Sequence, residues 1–286
     1  MLEIPVNVRV VVVTPAGRRR YLELLVPQVL ALRPIVDEYV LWVNTENKED
    51  IEYMKSLEQQ YKGFIRLERF KEGQSFNNNL SIHYFFKNCC DPNTIYVRFD
   101  DDIVQIDKEN FYKLVQFRYK NPEYFLVYGN ILNNCMVTHV QQKMGIIPKI
   151  NNMLAEYECA GSVGWGNSDF AEGLHRYILK NSLDKFRFSG KWILTQYERV
   201  SINCISWRGE EFKLFDGNVG RDEEAWLSVE KPKEIQRPNC IFGEFVCVHY
   251  AFHTQRERID STDILSQYHG RVFPESADGN SGPASK

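Results

Sequence analysis

Two runs, "VRVVVVT" (8–14) and "TIYVRF" (94–99), most restrict how this chain can fold. Runs rich in β-branched and aromatic residues, with little polar alternation, suit strands covered on both faces, as inside a parallel sheet. Between them the pattern alternates. "RRYLELLVPQVLALRP" has helical spacing, interrupted by Pro27 and closed by Pro34. "DEYVLWVNT" (37–45) is a second strand, "KEDIEYMKSLEQQYKG" (48–63) a helix closed by Gly63, and "FIRLERF" (64–70) a third strand. "FNNNLSIHYFFKNCC" (76–90) reads as a helix whose Asn run can cap its start. Strand–helix–strand repeats imply right-handed crossovers and a mostly parallel, Rossmann-like central sheet with helices on both faces.

The second half loses this rhythm. A helix over 108–121 and a strand over 124–134 come first, followed by a Gly- and aromatic-containing segment, 158–181. A strand-like stretch over 199–208, an acidic helix start "GRDEEAWLSVEKP" and a late strand over 242–252 complete the pattern. The expectation is one domain over 1–273 in two parts, about 1–134 and a smaller 135–273, with 274–286 as a disordered tail.

The net charge of −3 gives no reason to expect a nucleic-acid polymer as partner. The basic clusters, "GRRRY" (17–21) and "TQRERI" (254–259), suit a small, multiply charged anion or a solvated face. The seven cysteines lack CxxC or zinc-site spacing and read as buried, reduced thiols. No apolar stretch approaches a membrane span, so the expectation is a cytoplasmic protein, or one held at a membrane surface through a partner.

The fourth strand ends in "RFDDDI", three consecutive carboxylates: Asp100, Asp101 and Asp102. In open sheets of this kind ligands bind at the carboxyl ends of the strands. Adjacent carboxylates tolerate one another when a divalent cation neutralises them, and hard oxygen ligands suit Mn²⁺ or Mg²⁺ shared with substrate phosphate oxygens. The alternative is a solvated acidic turn.

With this triplet at the end of the fourth strand, the chain resembles nucleotide-sugar-dependent glycosyltransferases of the GT-A fold, over roughly residues 6–255. That resemblance implies transfer of a sugar from a nucleotide-diphosphate sugar, a UDP-sugar first, to a hydroxyl of a glycan acceptor. It makes 1–134 the nucleotide-sugar-binding half and 135–273 the acceptor-binding half. By resemblance Asp102 binds the metal directly, Asp100 shares it or faces the ribose, and Asp101 contacts the donor sugar or turns inward. A late histidine completes the metal shell, His249 or alternatively His253, with Arg256 and Arg258 close behind. In an inverting mechanism Asp222 or Glu223 takes the acceptor proton, the competing reading of these acids being helix capping. Thr14, Arg18, Asn44, Asn78 and Arg98 are further donor-side candidates, and Trp165 offers the acceptor a stacking face.

Three other readings stand beside this one. "DDDIV" fits the pattern of haloacid-dehalogenase-like phosphatases, with Asp100 as nucleophile, but three strands precede it where that motif normally follows the first. Sugar nucleotidyltransferases share the sheet order but want a Gly-rich phosphate loop after the first strand, where "TPAGRRR" has a single Gly. A non-catalytic carbohydrate-binding protein could keep the fold without turnover.

Overall fold

The computed structural model describes residues 4, 5 and 7–273; the expected tail lies outside them. Among the described residues nine strands form one mixed sheet: β1 (Arg9–Ala16), β2 (Glu38–Val43), β3 (Ile65–Glu68), β4 (Thr94–Phe99), β5 (Ile103–Ile106), β6 (Val127–Leu132), β7 (Lys191–Leu194), β8 (Cys204–Arg208) and β9 (Asn239–His249). Their order is β3-β2-β1-β4-β8-β6-β9-β5, with β7 also pairing to β9. β1 to β4 run parallel. β8 is antiparallel to both β4 and β6, β6 is parallel to β9, and β5 and β7 are antiparallel to β9. Six strands therefore point one way and three the other. β1 is buried from Val10 to Ala16 and β4 along its whole length, as their unbroken apolar runs required.

The helices around the sheet are α1 (Arg19–Leu30), α2 (Lys48–Gln60), α3 (Phe111–Lys120), α4 (Cys135–Lys143), α5 (Ser168–Leu179), α6 (Gly209–Lys213), α7 (Glu223–Ala225), α8 (Lys231–Glu234), α9 (His253–Asp260) and α10 (Ile264–Val272). A π-helical turn, Trp226–Glu230, joins α7 to α8. The larger core lies around β1, β2, β4, β8 and β9 with α1 and α3; a second gathers Tyr21, Leu132, Phe170, Leu174, Tyr250 and Tyr268 beneath α5, α9 and α10. All seven cysteines are free thiols. No helix among the described residues is long and apolar enough to cross a membrane.

Local readings differ in three places. α1 runs through Pro27 instead of breaking, because Pro27 and Glu23, whose carbonyl loses its partner, both lie on the half-exposed side of the helix. The helix expected over 76–90 is a 3₁₀ segment, Ile82–Asn88, preceded by turns in which Asn78 adopts a φ of +49°. The strand expected over 199–208 begins only at Cys204, since the preceding residues bend into the cleft described next.

Candidate functional site

A cleft of about 810 Å³ opens at the carboxyl ends of β1, β2, β4 and β9. Its floor comes from the turns after those strands: Gly17 and Arg18 after β1, Asn44 and Thr45 after β2, Asp100–Asp102 after β4, and His249 to Arg256 from the end of β9 into α9. The loop before β8 adds Arg199, Ser201 and Asn203. The helix start at 221–224 and the loop carrying Cys159 and Trp165 close the walls.

The three aspartates form the turn between β4 and β5 and point in different directions. Asp101 is buried and turns toward the β1 loop, accepting from Gly17 N at 3.1 Å and from the Arg18 fork through Nε at 3.1 Å and through Nη2. Gly17 itself is tight: a side chain there would meet the Asn44 carbonyl at 2.9 Å. Asp102 Oδ2 lies 2.9 Å from Arg18 Nη2, 3.4 Å from Arg256 Nη2 and 3.6 Å from His249 Nε2. Asp100 accepts from Arg98 Nε at 2.9 Å on one oxygen and from Asn203 Nδ2 at 3.1 Å on the other.

Charge follows geometry. Burial pushes the Asp101 carboxyl up, with Arg18 opposing. Burial acts the same way on Asp102, but Arg18, His249 and Arg256 outweigh it and hold that carboxylate well below the usual range. Burial also opposes the Arg18 charge, yet Asp101 and Asp102 hold the guanidinium firmly cationic. His249 is buried and its Nδ1 lies 3.0 Å from the Asn133 carbonyl, so Nδ1 donates and Nε2 is left toward Asp102. Asn133 reaches this position with a φ of +60°.

Arg98 is buried behind the floor and bridges two acids, Asp100 and Glu223, the latter through Nη1 to Oε1 at 2.9 Å. Glu223 lines the cleft wall, and its other oxygen, Oε2, is buried without a hydrogen-bond partner among the described residues. Burial pushes this carboxyl up to about 7, against the pull of Arg98. Asp222 is different. It is exposed, caps the helix start by accepting from Ala225 N at 3.1 Å, and pairs with Arg199 at 3.1 Å. The capping reading of the acidic helix start therefore describes Asp222, and the buried carboxyl belongs to Glu223.

The remaining candidates separate as well. Thr14 lies inside β1, fully buried under the Tyr39 hydroxyl, and does not line the cleft. Asn44 and Asn78 do line it, but the Asn44 amide donates to the Asn78 carbonyl and accepts from Ser81, so it holds the Asn77–Ser81 turn. Trp165 is in the wall, its ring centroid 4.9 Å from that of His253 in an edge-to-face arrangement, and His253 starts α9 exposed. Arg258 turns away to Glu172. Sequence reading did not single out Cys159, Arg199, Asn203, Arg221 or Glu224, all of which line the cleft. Among these only Arg221 and Glu224 stood in a noted motif, "GRDEEAWLS". Cys159 is no nucleophile as placed, since burial and Glu224, 3.2 Å away, push its thiol up to about 12.

The donor set does not fit the expected metal centre of Asp100, Asp102 and His249. Asp100 is turned to Arg98 and Asn203, two guanidinium groups stand against Asp102, and among the described residues no three His, Cys, Asp or Glu side chains converge on one point.

No protein-family model matches the chain, and no curated protein matches it. Among solved structures it is similar to a 4-diphosphocytidyl-2C-methyl-D-erythritol synthase from Anaerococcus prevotii DSM 20548, at 14% identity over 91% of this chain and 99% of that chain, with a TM-score of 0.46. It is also similar to a CMP:2-keto-3-deoxy-manno-octonic acid synthetase complexed with CTP, at 9% identity over 84% and 90%, with a TM-score of 0.43. Both likenesses are remote.

The expectation of a metal-dependent glycosyltransferase is corrected by these findings. The acids assigned to its metal are spent on arginine and asparagine donors, and Asp222, one of its two candidate bases, is a helix cap. The phosphatase alternative meets the same obstacle, because both oxygens of Asp100 are occupied.

Proposed function

We propose that the cleft binds a nucleoside triphosphate and transfers its nucleotidyl group to a hydroxyl of a small acceptor. The observation that carries this reading is the meeting, in one cleft, of incompletely used guanidinium groups with a buried carboxylate oxygen that has no partner among the described residues. Arg18 spends Nε and Nη2 on Asp101 and Asp102, and Arg256 spends Nη2 on Asp102 and the Ala251 carbonyl. Each keeps further N–H groups for phosphate oxygens, the use to which the planar guanidinium fork is best suited. Beyond them, toward β2, Thr45, Phe76, Asn78 and Asn79 offer amide edges and a ring for a base and ribose.

In this reading the acceptor oxygen forms a bond to the α-phosphorus while the bond to the bridging oxygen breaks. Pyrophosphate leaves with the electron pair, and the acceptor proton passes to Glu223 Oε2. Arg18 and Arg256 offset the charge that builds on the departing pyrophosphate. Arg98 holds Glu223 Oε1 and so fixes the direction of Oε2. The names of the two solved structures, one of them holding CTP, agree with a nucleotide ligand without deciding it.

The test is pyrophosphate release with each of CTP, UTP, ATP and GTP against a panel of sugars, polyols and their phosphates, with thermal protection by each triphosphate measured beside it. Release with at least one pair is expected. A chain that neither releases pyrophosphate nor is protected by any triphosphate refutes the reading.

A further inference from the structure

The charges of the cleft are almost wholly matched. Arg18 is paired with Asp101 and Asp102, Arg98 with Asp100 and Glu223, Arg199 with Asp222 and Glu224, and Arg256 with Asp102. Arg221 also lines the cleft, is exposed, and has no ion pair among the described residues. A guanidinium left unmatched in a concave site is a standing attraction for an anion, where a matched one must first give up its partner.

Packing sets the course of the loop that carries Arg221. A side chain on Gly220 would meet the Trp226 ring at 2.6 Å, and one on Gly217, at a φ of +63°, would meet the Lys87 Cα at 2.6 Å. These contacts seat the loop before α7 against the 3₁₀ segment, bringing Lys87 and His83 into the field of Arg221. Burial lowers the His83 pKa first, and the positive charges of Arg221 and Lys87 lower it further. Arg221 and Lys87 thus both act on His83, while the neighbouring Asp222 is already paired with Arg199.

We propose that Arg221 anchors an anionic group, phosphate or carboxylate, on the acceptor, so that the acceptor is a negatively charged small molecule. The assignment to the acceptor rests on the nucleotidyl-transfer reading: Arg221 stands two residues before Glu223 on the same wall, and Glu223 defines the acceptor side. Arg18 and Arg256 hold the triphosphate, and Arg221 reads the second substrate.

The test uses the full chain. Inorganic phosphate and acetate are titrated separately into wild type, Arg221→Gln and Arg221→Lys, followed by chemical-shift perturbation; CTP is titrated in parallel, and unfolding temperatures confirm that each variant folds. Wild type should bind at least one of the two anions. Arg221→Gln should bind it about tenfold more weakly, the loss of one charge-assisted contact, and Arg221→Lys should recover part of the loss. Which anion responds distinguishes a phosphorylated from a carboxylated acceptor. CTP affinity should be unchanged in both variants. Equal anion affinity in wild type and Arg221→Gln overturns the proposal. Arg221-dependent anion binding with no triphosphate binding at all sinks the transfer reading and keeps the anion site.

Discussion

Arg98 Nη1 stands 2.9 Å from Glu223 Oε1, and the other oxygen of that carboxylate is buried with no partner among the described residues. One side of the group is fixed and the other is unsatisfied, the condition of a carboxylate waiting for a proton. Glu223→Gln keeps the shape and the Arg98 contact but removes the base. Turnover should fall by about 10²- to 10⁴-fold, while triphosphate affinity stays within twofold of wild type. Unchanged turnover would remove Glu223 from the mechanism.

The same carboxyl sets a pH dependence. Burial raises it to about 7, and only the ionised form accepts a proton, so kcat should rise with pH through about 7 and then level off. Glu223→Gln should lack this limb in whatever activity it retains. A rate profile that is flat between pH 6 and 8 in wild type would contradict the assignment.

Stability should run the opposite way. A carboxyl raised from 4.5 to about 7 on folding contributes stability that is complete below the unfolded value and is lost as pH rises through the folded one. From the size of the shift this contribution is about 3 kcal/mol. Denaturant midpoints should therefore decline between pH 5 and pH 8 in wild type, and decline less in Glu223→Gln.

Asp101 and Asp222 should separate structure from chemistry. Asp101→Ala leaves the β1 loop unanchored and the half-buried Arg18 with Asp102 as its remaining counter-charge, at a cost of about 1–3 kcal/mol in unfolding free energy. Asp222→Ala removes a cap at the surface, costs about 1 kcal/mol, and should leave pyrophosphate release intact. A large loss of turnover in Asp222→Ala would move the base back to that residue.

Arg18→Gln and Arg256→Gln should each weaken triphosphate binding by about tenfold, the scale of a charge-assisted contact. Titration calorimetry at fixed salt reads this directly. Equal affinity in both variants would place the phosphates elsewhere.

Much of the scaffold around β1, β2 and β4 was legible because these strands are buried on both faces and therefore carry largely apolar runs. β4 was expected and found at Thr94–Phe99, and β1 and β2 fell within two residues of their expected bounds. β7, four residues with Ile193 exposed, leaves no such trace. The position of the acidic triplet at the cleft could be read from the strand it ends. Its chemistry could not. Which way each carboxylate turns depends on Arg18, Asn203 and Arg256, far away in sequence, and nothing in "RFDDDI" announces an arginine partner in place of an ion. The choice between Asp222 and Glu223 was likewise invisible, since capping and burial are decided by the packing of the helix start against Arg98 and Arg199.

β9 serves three partners at once: β6 along one side, β5 and β7 along the other. Until it is made, β5 has nothing to pair with, and the acidic turn between β4 and β5 lacks the Tyr250 N–H that holds the Asp102 carbonyl at 2.9 Å. During synthesis the parallel half can assemble early, but these closing contacts are distant in sequence and slow to form. A nascent chain stalled before Asn239 would still hold Asp101 on Gly17 and Arg18 but would lack His249, Arg256 and the Tyr250 N–H around Asp102, so the cleft takes its final shape only once β9 is made.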